Sequence, residues 1–285
     1  MPRRLIFNAD DLGLHSAVNE GIERAHREGV LTAASLMVGE PGFEEGVRVA
    51  RANPGLAVGL HLTLTDGRPV LPPARIPSLT QPNGLFRDDM ERLGARIAIS
   101  RAAQDELAAE VAAQMARFLE TGLPCDHVNA HKHFHNHPWI AGAMIRAAAE
   151  AGVRAIRVPW EPQRLVRAAE AVSAEGRGDD VGEWALRPAG RVLRWRAARR
   201  GLRAPDVMVG HAWSGHFTPA RLRAVLPLLP DGVTELYFHP AARDGFGRGG
   251  PGYRHEAELA ALTDPAVIEA VATLPRGGYT PMLFP

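Results

Sequence analysis

The chain has 285 residues, 46% of them hydrophobic, which is enough to bury a substantial core in one large α/β domain or two small ones. Its 33 basic and 32 acidic residues leave a formal charge of +1, so no global field argues for a nucleic-acid partner. A single cysteine, Cys125, excludes an intramolecular disulfide framework, and no apolar run approaches the roughly 20 residues of a membrane-spanning helix.

In chain order, β-type runs are predicted at Leu5–Asp10, Thr32–Val38, Ala57–Leu64, His127–His131, Ala155–Pro159, Val207–Ala212 and Thr234–His239, with a weaker one near Tyr279–Phe284. Helical patterns lie between them. Ser16–Glu28 opens on Ser16 as N-cap and stops before Gly29; Gln104–Glu120 is alanine-rich and stops at Gly122; Pro138–Ala151 begins on proline and stops before Gly152. The alternation predicts parallel βαβ units, and seven or eight of them in this length suggest a single α/β domain spanning 1–285, a distorted or incomplete (β/α) TIM-like barrel with mainly parallel strands. Two stretches interrupt the repeat. Residues 66–90 are rich in Pro, Gly and charge and read as a loop excursion that shapes a site. Residues 161–204 hold a predicted loop at 174–180 and then the basic RVLRWRAARRGLR.

Polar residues collect at the C-terminal ends of these strands. RLIFNADD ends on Asp10 and Asp11; VGLHLTL places His61 late; HVNAH delivers His131; AIRVP carries Arg157; VMVGH carries His211; LYFHP carries His239. In a parallel barrel those ends meet on one face, where active sites are built. Each residue has an ordinary reading alone: Asp-Asp as a turn or cap, His61 as a hydrogen-bonded core histidine, Arg157 as a surface partner of Glu161. Their joint placement favours a metal site. Two histidines and one carboxylate from three strands hold a divalent ion and leave positions open for water and substrate, and Asp11, His61 and His131 are the candidate ligands. Asp10 is then the candidate base, His239 the acid, and Arg157 a substrate contact.

HKHFHNH, residues 131–137, places four histidines at alternate positions around Lys132, the only lysine in the chain. In an extended segment all four share one face. Only His131 is assigned to the ion. His133 is expected as a substrate contact, like His211, and His135 and His137 as loop or helix-start residues.

NADDLG, VNEGIERAHREGVLTAASLMV, GLHLTL, HVNAHKHFH and the late FHP together resemble the YdjC-like (ChbG-like) carbohydrate deacetylase family, in the right order over most of the chain. LTAASLMVGEP, DGRPVLPP, GLFRDD and YRHEAELAAL resemble, more narrowly, its hopanoid-biosynthesis-associated branch (HpnK-like). The resemblance implies a distorted barrel and a metal-dependent hydrolase that removes the N-acetyl group of an acetamido sugar, an amide hydrolase acting on C–N bonds other than peptide bonds. It implies Mg²⁺ or Zn²⁺ on Asp11, His61 and His131, with Asp10 as base and His239 as general acid or oxyanion partner. The implied substrate of the branch is an N-acetylglucosaminyl hopanoid glycolipid; Arg157, His133 and His211 are expected to contact substrate from their own placement in the sequence. A cytoplasmic protein is expected, with 191–203 resting on the inner membrane surface as a peripheral contact; the oligomeric state is open, with a homodimer among the candidates. Three alternatives remain open on the same residues: a metal-dependent phosphoesterase, a 2-His-1-carboxylate oxygenase, and a non-catalytic sugar- or lipid-binding protein.

Overall fold

The computed structural model describes residues 2–178, 183–247, 250 and 252–285. Among the described residues, one sheet contains β1 (Arg4–Leu12), β2 (Ala33–Leu36), β3 (Ala57–Leu62), β4 (Val128–Ala130), β5 (Val207–Val209) and β6 (Val233–Phe238). The order is β4-β3-β2-β1-β6-β5, and every neighbouring pair is parallel. Parallel neighbours require crossovers, and helices supply them. α1 (Ser16–Glu28) and α2 (Phe43–Ala52) follow β1 and β2; α3 (Met90–Ile99) and α4 (Arg101–Leu119) lie between β3 and β4; α5 (Pro138–Glu150), α6 (Gln163–Ser173) and α7 (Glu183–Ala198) precede β5. α8 (Pro219–Val225) leads into β6, and α9 (His255–Leu262), α10 (Pro265–Ala270) and α11 (Tyr279–Leu283) complete the chain.

The two sheet edges, β4 and β5, meet the same segment. Residues 155–159, predicted as a strand, make only isolated parallel bridges, Val128 with Ile156 and Ala155 with Arg203. The amide of Arg157 donates to the Val128 carbonyl at 3.0 Å, and that of Met208 to the Trp160 carbonyl at 2.9 Å. Pro159 has no N–H to extend the ladder, so the joint is irregular and the curled sheet forms a distorted barrel.

Two apolar clusters fill it. The larger one lies between the sheet and its helices, with Phe7, Leu36, Leu60, Ile140 and Phe238 among its members. The smaller one comprises Ile6, Ala33, Ala155, Val233, Tyr279 and Leu283, residues at the N-terminal ends of the strands together with α11. The strand predicted near 279–284 is therefore a short helix closing that end. Asp126 accepts the amides of Tyr279 (2.7 Å) and Thr280 (2.9 Å) and so satisfies the first turn that starts it.

Local sequence accounts for the other helix ends. α1 buries Val18, Ile22 and Ala25 on one face. Its cap is His15, whose Nδ1 accepts from the Ala17 amide at 3.1 Å, rather than the predicted Ser16, which is the first helical residue. The 66–90 excursion is packed down rather than loose: Glu110 of α4 accepts the amides of Val70 and Leu71, and Ile76, Leu79 and Phe86 are buried. The 161–204 stretch consists largely of α6 and α7; of the loop predicted at 174–180, residues 179 and 180 lie outside the described residues.

Candidate active site

Asp10 and Asp11 close β1 at the C-terminal side of the sheet. A regular strand would send them to opposite faces. The register between β1 and β2 shifts between Ala9 and Leu12, and Asp11 takes a left-handed φ of 68°, so both carboxylates are buried within the site. Aspartate tolerates that region better than most residues, and the turn is held in place. Gly13 has φ of 88°, and its amide donates to Asn19 Oδ1 at 2.7 Å.

His61 on β3 and His131 after β4 complete a cluster with Asp11, their ligand atoms all within 4.8 Å of one another. His61 Nε2 and His131 Nδ1 each lie 3.2 Å from Asp11 Oδ1. A chain of hydrogen bonds sets the His61 tautomer. Asp10 Oδ1 accepts from Asn129 Nδ2 at 3.2 Å, which turns the Asn129 amide oxygen towards His61 Nδ1 at 2.7 Å. An amide oxygen only accepts, so Nδ1 carries the proton and Nε2 presents a lone pair. That Nε2 is buried without a hydrogen-bond partner and faces the Asp11 carboxylate. Two acceptors meeting in a buried pocket is the arrangement a divalent cation resolves, so the donor set fits a metal ion. Burial pulls the His61 imidazole down, but Asp10 and Asp11 outweigh it and raise it above its ordinary value, so the pocket attracts positive charge.

Beneath the cluster lies a buried charge network that the sequence reading did not anticipate. Arg157, 0% exposed, grips Asp10 with two hydrogen bonds of 2.6 and 2.9 Å and reaches Glu235 of β6 through Nε at 2.7 Å. It has no partnership with Glu161 and no surface to offer a substrate. Burial raises the Asp10 carboxyl most strongly of any single cause; the Arg157 guanidinium, with His61 and His239 adding to it, outweighs that and holds the group well below the usual carboxylate range. Asp11 is likewise held low, with His131 the main charge opposing its burial. The network continues down the barrel: Asn8 donates to Asp10, Ser35 bonds Asn8 and Asn129, and His127 joins Ser35 (3.0 Å) to Asp126 (3.2 Å). Asn8 stands two residues before Asp10, and His127 and Asn129 stand four and two before His131. Strand alternation places each on the face of its neighbour, a signal present in the sequence.

HKHFHNH does not present one histidine face. Residues 131–136 turn tightly through a kink at Lys132 and His133, which both have φ of 52°. The turn separates the side chains. His131 meets Asp11; His133 Nε2 pairs with Tyr237 Oη at 3.2 Å; His135 is buried, with Nε2 3.1 Å from the Arg157 carbonyl; His137 precedes α5. Lys132 points outward and pairs with Asp66 at 3.0 Å across the rim. Burial pushes His133 well down and His135 down to about 3, so both are neutral at pH 7.

The opposite wall carries His211, Ser214, Tyr237, His239 and Tyr253. The His211 ring lies 4.7 Å from that of His133, and His239 packs 5.1 Å from Tyr253. Burial lowers His239 to about 4 despite the pull of Asp11 and Asp10, so it is a neutral imidazole at pH 7. Two buried glutamates fix this wall. Glu161 accepts the amides of Gly210, His211 and Ala212, and Glu258 accepts those of Phe217 and His239. Burial pushes each carboxyl up to about 7.

A distorted parallel barrel with a two-histidine, one-carboxylate cluster at the C-terminal ends of its strands defines the class: an α/β barrel protein with a buried polar site whose donor set fits a metal ion. The chain belongs to the YdjC-like protein family, which it matches over residues 4–273. It is 41% identical over 185 residues to a carbohydrate deacetylase of Brevibacillus brevis, covering 62% of this chain and 71% of that protein. It is 32% identical over 276 residues to a carbohydrate deacetylase of Geobacillus stearothermophilus, covering 95% and 94%. Among solved structures, an Enterococcus faecalis protein named for a proposed role in cellobiose-phosphate cleavage aligns over 99% of both chains, with a TM-score of 0.74 and 25% identity.

Proposed function

We propose that this chain is a metal-dependent carbohydrate N-deacetylase. The observation that carries the reading is the Asp11–His61–His131 cluster, with its bare, buried His61 Nε2 facing the Asp11 carboxylate, in a family whose relatives are named carbohydrate deacetylases. A bound Mg²⁺ or Zn²⁺ supplies a Lewis acid for an acetamide carbonyl and lowers the pKa of water towards about 7. Asp10 takes the proton of the attacking water. Arg157 and His61 keep it ionised, and because its Oδ1 is taken up by Asn8, Asn129 and Arg157, the proton goes to Oδ2, which accepts from Arg157 and keeps a second lone pair. Arg157 thus acts by orienting the base and not, as the sequence suggested, by touching substrate.

His239, neutral at pH 7, donates an N–H to the oxyanion or the leaving amine. His211 and His133, whose rings lie 4.7 Å apart, are the proposed substrate contacts. The branch-specific motifs favour a hopanoid glycolipid that carries the acetamido sugar as an N-acetylglucosaminyl group. Such a substrate lies at the inner membrane surface, in keeping with a cytoplasmic protein in peripheral contact there, as monomer or homodimer. Among the described residues no helix is long and apolar enough to cross a membrane.

The test is acetate release across a panel of N-acetylglucosamine conjugates, soluble and lipid-linked, with and without chelator. The expected result is chelator-sensitive release, fastest from the lipid-linked members. No release from any conjugate, or turnover only of phosphate esters or only with 2-oxoglutarate and oxygen, would overturn the reading.

A further inference from the structure

The basic stretch 191–203 divides in the structure. Arg194 is turned inward onto the carbonyls of Ala204 and Pro205, Arg203 donates to the Leu283 carbonyl, and Leu193 and Leu202 are buried. Those residues serve the fold. Arg191, Val192, Trp195, Arg199 and Arg200 are exposed, and this face meets a second element: a groove of about 360 Å³ between α5 and α7, lined by Trp139, Arg146, Trp195, Arg196, Arg199 and Arg200.

Three features of this groove need a cause. Trp139 and Trp195 are 47% and 59% exposed, and Val192 beside them is 55% exposed. Large apolar side chains left in water on one face mark a surface that is covered in use. Four arginines surround them, and among the described residues no acidic side chain lines the groove. The groove is also built rather than accidental. Gly142 on α5 leaves room for Arg196, whose Nη2 would lie 2.6 Å from a Cβ at that position and whose Nη1 donates to the Pro138 carbonyl at 2.6 Å. Arg199 stands over the Trp195 ring at 5.1 Å. Because α5 starts at Pro138, directly after the turn that carries His131 and His133, the groove is joined to the candidate active site through one helix start.

We infer that the α5–α7 groove is a docking face for an anionic lipid bilayer. Tryptophan settles at the headgroup boundary because its ring is apolar and its N–H is polar, and arginine extends its charge into the phosphate layer. A cluster of four arginines is the complement of an anionic leaflet. A second copy of the chain fits less well, since a two-fold contact through this face would bring Arg146, Arg196, Arg199 and Arg200 against their own copies. The inference deepens the peripheral membrane contact proposed above by naming the face that makes it; its evidence is the groove, so its failure leaves the deacetylase chemistry untouched.

Flotation of the full chain with phosphatidylglycerol-containing vesicles and with pure phosphatidylcholine vesicles tests it, with soluble acetate release measured in parallel. Binding is expected to the anionic vesicles only and to weaken as salt rises. Arg199→Ser with Arg200→Ser should weaken it about 30-fold, the loss expected for two arginines near an anionic surface. Trp139→Ser with Trp195→Ser should also release the protein, while both double variants keep their melting temperature and their turnover of a soluble substrate. No binding to anionic vesicles, equal binding to neutral ones, unchanged binding by both variants, or a groove-dependent dimer in place of vesicle binding would overturn it.

Discussion

The floor of the candidate site and its rim use the same residue types under opposite constraints. On the floor, Asp10, Arg157, Glu235, His61 and Asn129 are fully buried and locked by mutual hydrogen bonds. On the rim, Lys132 and Asp66 form a comparable ion pair at 3.0 Å, but with 41% and 56% of their side chains exposed. Water screens the rim pair and leaves the floor group unscreened, so geometry that looks alike has different energetic weight. Charge on the floor fixes protonation states and tautomers. Charge on the rim adjusts a loop.

The contrast is sharpest at Arg157. Arg157→Met leaves two carboxylates, Asp10 and Glu235, buried and unpaired, and the expected cost is about 3–5 kcal/mol, read as a large loss of urea stability. A loss under about 1 kcal/mol would mean that the floor behaves like the rim. Asp10→Asn keeps the shape of the floor but removes the base: turnover should fall by about 10²–10⁴-fold while metal content and secondary structure are retained.

Asp126, at the far end of the same hydrogen-bonded column, gives a pH signature. Burial raises its carboxyl, but His127 and the amides of Thr280 and Tyr279 together hold it below the ordinary aspartate value. Its folded-state pKa is depressed, so its contribution is present above the unfolded value and is lost as pH falls towards the folded one. Asp126→Asn should therefore cost about 1–3 kcal/mol at neutral pH and less in acid, with urea melts at pH 7 and pH 3 as the comparison. A deficit that grows on acidification would contradict the assignment. The smallest effect is expected on the rim. Lys132→Ala should change stability by less than about 1 kcal/mol, and any change in KM should shrink with added salt.

Much of this was legible in the sequence, and the failures have physical causes. Strand positions followed from apolar runs ended by polar residues, and the strand-end rule brought Asp10, Asp11, His61, His131, Arg157, His211 and His239 to one end of the barrel. Tyr279–Phe284 was misjudged because an apolar, aromatic hexamer satisfies both periods, and the partner that starts its helix, Asp126, is distant in sequence. Ala155–Pro159 sits where a strand belongs but contains a proline at the joint. The alternating reading of HKHFHNH failed because Lys132 and His133 are left-handed, a conformation that non-glycine residues rarely announce. Arg157 looked like a substrate contact because nothing local shows that its partners, Asp10 and Glu235, come from two other strands.

The central claim is that Asp11, His61 and His131 hold one divalent ion, and metal content per chain tests it most directly. After loading and exhaustive dialysis, elemental analysis should find about one equivalent of Zn²⁺ in the parent chain and in Asp10→Asn, and only a small fraction of that in His61→Ala and His131→Ala. Full occupancy in the two histidine variants, or none in the parent chain, would contradict the account.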